Sequence, residues 1–394
     1  MKVFDKIGLA VPKIMLPKRE VDLEKWAVIA CDQFTSNPEY WRQVDQLVGD
    51  QPSTLRLIYP EVYLEEPDKE ARIVRINETM KKYLNEGILI EELEGFVYVE
   101  RTLKSGWVRR GLMVALDLEK YDFHPGAKTL IRATERTIES RIPPRVAIRQ
   151  NAIIELPHIM VLIDDKNPFS IFPLIKSQDN LLYDFDLMMN GGHIKGYKVD
   201  DEKEIERIVK SLENLLNQND FLYAVGDGNH SLATAKAIYE TNPNELNRYA
   251  LVELINLHDK SLEFEPIHRV VFDAPDELLD LIKGSASSIR TTIKVVRNGQ
   301  VEDFNLKDMG SNLAVGNLQA LLDQFPELRV DYIHGEKTIK DLAIGKNIGF
   351  ILPAMAKDQL FFTVAHDGAL PRKTFSMGQA EEKRYYLETR QIRL

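Results

Sequence analysis

Phe221-Leu-Tyr-Ala-Val225-Gly-Asp-Gly-Asn-His230-Ser-Leu-Ala-Thr-Ala-Lys-Ala-Ile-Tyr239 decides how this chain is read. Residues 221–225 are apolar and fit a buried strand, and a small-residue helical pattern starts directly after Gly226-Asp227-Gly228-Asn229-His230. Glycines at a strand-to-helix turn permit positive φ and close approach of a ligand to the backbone. The first amides of a helix have no carbonyl partner within it and favour an anion. Asp227 adds a candidate metal ligand, and His230 a donor or proton carrier near neutral pH. The plain alternative is a tight connection with Asn229 as N-cap. Capping alone does not need a carboxylate, an amide and an imidazole on one turn.

Outward from this turn, hairpins and strand–turn–helix units alternate irregularly. Residues 24–34 read as a strand, 38–47 as a helix opened by Pro38, and 67–85 as a helix stopped by Gly87. Gly95 to Leu118 reads as two strands about Lys104-Ser105-Gly106. A strand at 158–164 and an amphipathic helix at 201–218 precede the turn, and strands at 249–257 and 264–272 follow it. Beyond Asp273-Ala274-Pro275 come a helix at 276–283, a strand at 289–296 and a final helix after Gly378. The pattern predicts an α+β fold with mixed sheets. It divides into a main domain, 1–274, and a smaller α+β part, 275–394, whose tail is a candidate to pack back.

Composition narrows the function. The 394 residues are 44% hydrophobic and 28% charged, as in an ordinary globular protein. A net charge of −10 disfavours nucleic acid and anionic lipid as partners. No apolar run approaches the ~20 residues of a membrane span. Cys31 is the one cysteine, so zinc, haem and iron–sulfur centres are not expected. With a charged N-terminus, Met1-Lys-Val-Phe-Asp-Lys, the expected address is the cytoplasm.

Within this acidic chain, Lys128 to Arg149 carries six positive and two negative charges, a local +4. Arg132 and Arg141 are candidates for bidentate capture of phosphate. Glu135 among them would stay ionised as a base or ligand, and Pro143-Pro144 is expected to break a regular helix. Arg372 and Lys373 in the tail, and His268 and Arg269 at a strand mouth, are further ligand-binding candidates. Each has a plain alternative as a solvated or edge-capping charge. Cys31 reads as an inert thiol, since Asp32 is no activating neighbour. No Gly-x-Ser-x-Gly or Walker P-loop occurs.

Trp26-Ala-Val-Ile-Ala-Cys-Asp-Gln-Phe-Thr-Ser36, Gly226-Asp-Gly-Asn-His-Ser-Leu-Ala-Thr-Ala235 and Pro371-Arg-Lys-Thr-Phe-Ser-Met-Gly378 together resemble the bacterial family called domain of unknown function 1015. Arg132-Ala-Thr-Glu135-Arg-Thr137 and Glu265-Pro-Ile-His268-Arg269 resemble two further elements of it, with Thr134 where many relatives have His. The family's turn is in turn similar to the phosphate-binding turn of the ParB/sulfiredoxin-like superfamily. That group includes nucleotidases and ADP- or ATP-dependent small-molecule kinases. The resemblance implies a nucleotide-dependent phosphotransferase acting on a small polar metabolite. Mg²⁺ would sit on Asp227, ADP or ATP would be the donor, and Glu135 or His230 the base. Gly226, Gly228, Asn229 and Ser231 would hold phosphate oxygens. Ser231 stands where that superfamily's turn has Arg, so Arg132, Arg141 or Lys373 would supply the charge. The rival readings are a non-catalytic nucleotide or metabolite sensor and a scaffold.

Overall fold

The computed structural model describes residues 1–167, 172, 177–285 and 291–393. The chain forms two compact units: Met1–Ala133, Thr137–Leu262 and Gln379–Leu394 make the first, and Thr134–Arg136 with Glu263–Gly378 the second. The boundary lies at Leu262 rather than near residue 274, so the strand Phe264–Phe272 falls in the second unit; residues from Gln379 on group with the first.

The first unit is built on a mixed sheet of eleven strands among the described residues. Its main path runs Leu181–Asp186, His193–Val199, Phe96–Thr102, Val108–Asp117, Tyr249–Asn256, Met160–Ile163, Tyr223–Asp227, Ile131–Ala133 and Tyr121–Asp122. The predicted hairpin is present as Phe96–Thr102 and Val108–Asp117, paired antiparallel. All eight residues of Tyr249–Asn256 are buried, as a central strand covered on both faces requires. Leu112, Val114 and Leu116 point to one core, and Met113 between them to the other, following the period of two.

The helix Glu202–Leu216 closes one face. Asp201 caps it, accepting from the Glu204 amide at 3.0 Å, and Ile205, Ile208, Val209, Leu212 and Leu215 are buried. Each such side chain contributes roughly 1.5–3 kcal/mol of burial. The opposite face is covered by Trp26, Trp41, Met80, Tyr83, Tyr385 and Tyr386, so the two ends of the sequence share one core.

Three local expectations need correction. Residues 24–34 are not one strand. Asp22 accepts from the amides of Glu24 and Lys25 and starts a helical turn, Leu23–Trp26; the strand shrinks to Val28–Ile29 before a turn at Cys31. Pro143 and Pro144 do not break a helix but open one, Ile142–Arg149, because first-turn amides need no partner there. The final helix shrinks to a single 3-10 turn, Ala380–Glu382, after which Tyr385–Tyr386 pairs with Val28–Ile29, and Arg390–Gln391 with Ile154–Glu155. Arg384 and Glu388, spaced as a helical ion pair, are instead fully buried partners in an extended tail.

The second unit has a six-stranded antiparallel sheet among the described residues, ordered Gln300–Asn305, Thr292–Arg297, Ile348–Ile351, Phe264–Phe272 and Arg329–His334, with Phe375–Met377 on the start of Phe264–Phe272. Residues 289 and 290 of the predicted strand 289–296 lie outside the described residues. Val270, Val296, Ile339, Ala343 and Ile351 form its core. Mixed sheets, hairpins and strand–helix units make the fold α+β.

Arg384 pairs with Glu253 (3.0 Å) and Glu388, and Tyr183 also donates to Glu388. A Cβ at Gly111 would stand 2.2 Å from the Glu253 carboxylate, so glycine there makes room for the network. Truncating one member of a buried charge network strands the others without water. Arg384→Met is expected to cost about 3–5 kcal/mol, read as a lowered urea midpoint. Adding Glu388→Gln to it should restore part of the loss.

Candidate functional site

Strand register assembles the site. Asp227 ends the strand Tyr223–Asp227 opposite Met160 of its antiparallel neighbour, while Val225 pairs with Ala133 of its parallel neighbour. The residues before Met160 are therefore carried to the same sheet edge as the turn. Gly228 has φ +81°, and a Cβ on it would meet Ile159 at 3.0 Å, so the turn requires glycine. Its carbonyl accepts from the Leu232 amide at 3.0 Å and begins the helix Asn229–Thr241. Gly228, not Asn229, is thus the N-cap. Asn229 is the first helical residue; its Nδ2 donates to the Val225 carbonyl at 3.4 Å, and its buried Oδ1 has no hydrogen-bond partner among the described residues.

Asp227 is half-buried. Its Oδ1 accepts from the Gly228 amide (3.0 Å), and its Oδ2 lies 3.1 Å from the Lys383 Nζ. Burial pushes this carboxyl up, but Lys383, His158 and the Gly228 amide outweigh burial and hold it below the ordinary value. Lys383 is positioned by two buried arginines. Arg101 donates to the carbonyls of Glu381 (2.6 Å), Glu382 (3.1 Å) and Lys383 (2.6 Å), and Arg109 to that of Glu382 (2.8 Å). Burial lowers Arg101 to about 9, which leaves it charged at neutral pH.

A hydrogen-bonded chain leaves the helix start. Ser231 Oγ lies 3.1 Å from His158 Nε2, His158 Nδ1 lies 3.1 Å from the Tyr386 hydroxyl, and that hydroxyl accepts from the Cys31 amide at 3.1 Å. Burial pushes the Cys31 thiol up to about 12 and the Tyr386 phenol well above its ordinary value, so both stay protonated. Beside Cys31, the Asp32 Oδ1 is buried without a hydrogen-bond partner among the described residues. Glu61 donates its amide to the Cys31 carbonyl and pairs through its carboxylate with Arg145. Burial raises the Glu61 carboxyl despite Arg145, Arg141 and His158. Arg145 in turn donates to the Arg141 carbonyl at 3.0 Å, so Arg141 stands on this side of the unit with its own side chain exposed.

Other expected residues sit elsewhere. Arg132 is not at the turn. Its guanidinium stacks 4.4 Å from Phe221 and donates to the Thr129 carbonyl, at the far end of the strand that Asp227 ends. With ~3.3 Å per strand residue, it cannot neutralise charge at the turn. His230 is no unencumbered base: its Nε2 accepts from the Ile138 amide at 3.2 Å and holds that segment over the turn. Glu135 belongs to the second unit, where its neighbours Thr134 and Arg136 exchange backbone hydrogen bonds with Leu370.

In that same unit, Arg269 is fully buried and donates to the carbonyls of Ile267, Arg372 and Lys373, which makes it an internal brace rather than a phosphate clamp. His268 Nδ1 accepts from the Leu352 amide, and burial lowers its pKa, so it is a neutral packing group. Arg372 stacks on Tyr332, and the exposed Lys373 occupies a turn at φ +58°.

His158, Tyr386, Lys383, Asp32 and Glu61 were not identified from the sequence. No spacing signal could have found them, because sheet register and a tail clamp bring together residues up to 355 positions apart. Among the described residues, no group of three or more His, Cys, Asp or Glu is arranged to hold a metal ion. No helix among them is long and apolar enough to cross a membrane.

The sheet, the glycine turn and the clamped tail span a chain that belongs, over residues 14–391, to the family described as Protein of unknown function (DUF1015). No curated protein matches it. Among solved structures, it is similar to a mutant free serine kinase in complex with ADP, at 12% identity and a TM-score of 0.41, covering 73% of this chain and 94% of that one. Free serine kinase in complex with AMP gives 11% and 0.41, over 70% and 90% of the two chains. A conserved hypothetical protein from Pyrococcus furiosus gives 12% and 0.38, over 70% and 94%. At these scores the likeness is loose and says nothing of what this chain binds.

Because the Asp227 carboxyl is held below its ordinary value when folded, its pairing stabilises the protein above about pH 3.9, the unfolded value. That contribution is lost as pH falls through the lower folded value. Asp227→Asn should be less stable than the parent at pH 7, and urea midpoints of the two should converge as the pH is taken through that window.

Proposed function

We propose that the first unit binds the phosphate groups of a small molecule, ADP or ATP, at the 226–231 turn and passes a phosphoryl group to a small polar metabolite. The observation that carries this reading is the position of the Lys383 ammonium, 3.1 Å from Asp227 at the opening of a 13-residue helix. An ammonium beside the first amides of a helix is a pairing suited to an anion. Gly228, Asn229 and Ser231 would present amides to phosphate oxygens, with Gly226 keeping the approach open, and Lys383 takes the role that Arg132 cannot reach. Arg141 is linked through Arg145 to Glu61, beside Cys31.

Asp227 would hold Mg²⁺ through its carboxylate once the ion displaces the Lys383 ammonium from Oδ2. An ion delivered on a nucleotide needs only one or two protein carboxylates. Bound there it would neutralise phosphate charge. The turn's likeness to the ParB/sulfiredoxin-like group is part of this reading, as is a cytoplasmic setting in which nucleotides abound. A second reading, a non-catalytic nucleotide or metabolite sensor, is favoured by the Asp227–Lys383 pair itself, since a closed ion pair serves binding without chemistry.

A thermal-shift panel of nucleotides and phosphorylated metabolites, with and without Mg²⁺, tests the site. Ligand at 100 times its Kd is expected to stabilise the parent by about 2.7 kcal/mol. Lys383→Met should melt lower when unliganded, having lost the Asp227 pair, and should lose most of the ligand-induced gain measured from that lower baseline. Asp227→Asn should bind but form no phosphorylated product. A flat panel for the parent would exclude the reading, and binding without product across ADP and ATP would leave the sensor.

A further inference from the structure

Ser231, His158 and Tyr386 carry more than a binding site. We propose that Ser231 is a nucleophile that takes a phosphoryl group from the bound donor, with His158 as its base and Tyr386 as a positioning residue that sets the tautomer of His158. The inference rests on the phosphate-donor reading above. Its geometry is separate, because none of these three side chains was needed to place phosphate at the turn.

The argument starts at Tyr386. A phenol oxygen has one proton to give and two lone pairs to offer. One lone pair accepts from the Cys31 amide at 3.1 Å. The lone pair that remains faces His158 Nδ1 at 3.1 Å. Every group is satisfied when Nδ1 carries the imidazole proton and donates to Tyr386. Nε2 is then unprotonated and accepts from Ser231 Oγ at 3.1 Å. A hydroxyl on a base that is itself oriented by a third group is the arrangement of activated nucleophiles. The charged groups facing His158 are Asp227, from the turn, and Glu61, from the segment beside Cys31, each with its own cation, Lys383 and Arg145. Ser231 also lies in the first turn of its helix, beside the amides that would hold the donor's phosphate.

The step balances. The Ser231 proton moves to His158 Nε2, Oγ bonds to phosphorus, and the bond from phosphorus to the leaving oxygen breaks, with its electron pair departing on ADP. In the return half, an acceptor hydroxyl oxygen attacks phosphorus and releases its proton to solvent. The bond to Ser231 Oγ breaks, and His158 returns its proton to that oxygen. Without an acceptor, phosphoserine accumulates.

The full chain is incubated with ATP and Mg²⁺, and separately with acetyl phosphate, then followed by intact mass and peptide mapping. One phosphoryl group is expected, at Ser231, and none in Ser231→Ala protein shown folded by its melting curve. His158→Asn should slow labelling on the order of 10²-fold or more. In Tyr386→Phe the pH profile of labelling should move, a change that mere loss of packing would not produce. A parent protein that shows the nucleotide shift yet acquires no phosphoserine from either donor would overturn the nucleophile and leave the binding reading standing. Labelling by acetyl phosphate without any nucleotide shift would do the reverse. Labelling at an unchanged rate in His158→Asn, in protein shown folded by its melting curve, would overturn the assigned base.

Discussion

The grip of two buried arginines on the backbone of residues 381–383 is the constraint from which the site follows. Arg101 and Arg109 are fully enclosed, and a guanidinium out of water must find carbonyl or carboxylate partners. They find carbonyls of a tail that would otherwise be an exposed extended strand. Once those carbonyls are fixed, Lys383 can only point to Asp227, Arg384 can only enter the sheet face toward Glu253, and Tyr386 is delivered to His158. Residues 381–386 thereby become a wall of the site.

Much of the architecture was legible because local periodicity and capping agree with the final structure. The helix Glu202–Leu216 shows a clean apolar stripe behind an Asp cap, and the hairpin about Lys104-Ser105-Gly106 shows period-two alternation around a turn. The Gly-rich turn was legible for the same reason: Gly228 sits at a φ that only glycine adopts readily. Misreadings came where tertiary partners override local pattern. Arg384 and Glu388 have the spacing of a helical ion pair, yet burial against Glu253 and Tyr183 holds them extended. Pro143-Pro144 looked like a break because proline forbids helix interiors, but a first turn tolerates both.

The site itself was only half legible. Asp227 and the helix start are contiguous in sequence, so their meeting is a local fact. His158 becomes relevant only because Met160 pairs with Asp227, and that register belongs to the sheet, not to the residues around His158. Arg132 shows the converse. It lies next to the turn's strand and carries the expected charge, but the parallel register places Arg132 beside Ala224 and sends its side chain to Phe221. Charge counted along the chain located a basic segment correctly and said nothing of which end of a strand each guanidinium would occupy.

The polar groups at this edge are costly to the fold. Asp32 and Asn229 each bury an oxygen with no hydrogen-bond partner among the described residues, and each such atom typically carries a penalty of about 1–3 kcal/mol. A chain selected for stability alone would place apolar side chains there, as it does along Tyr249–Asn256. The two unpaired acceptors flank the hydrogen-bonded series from Cys31 through Tyr386 and His158 to Ser231, one next to its first member in sequence and one two residues before its last. The same reasoning explains why Lys383 remains paired with Asp227 at rest: an unpaired ammonium at this edge would add a third polar cost before any ligand arrived.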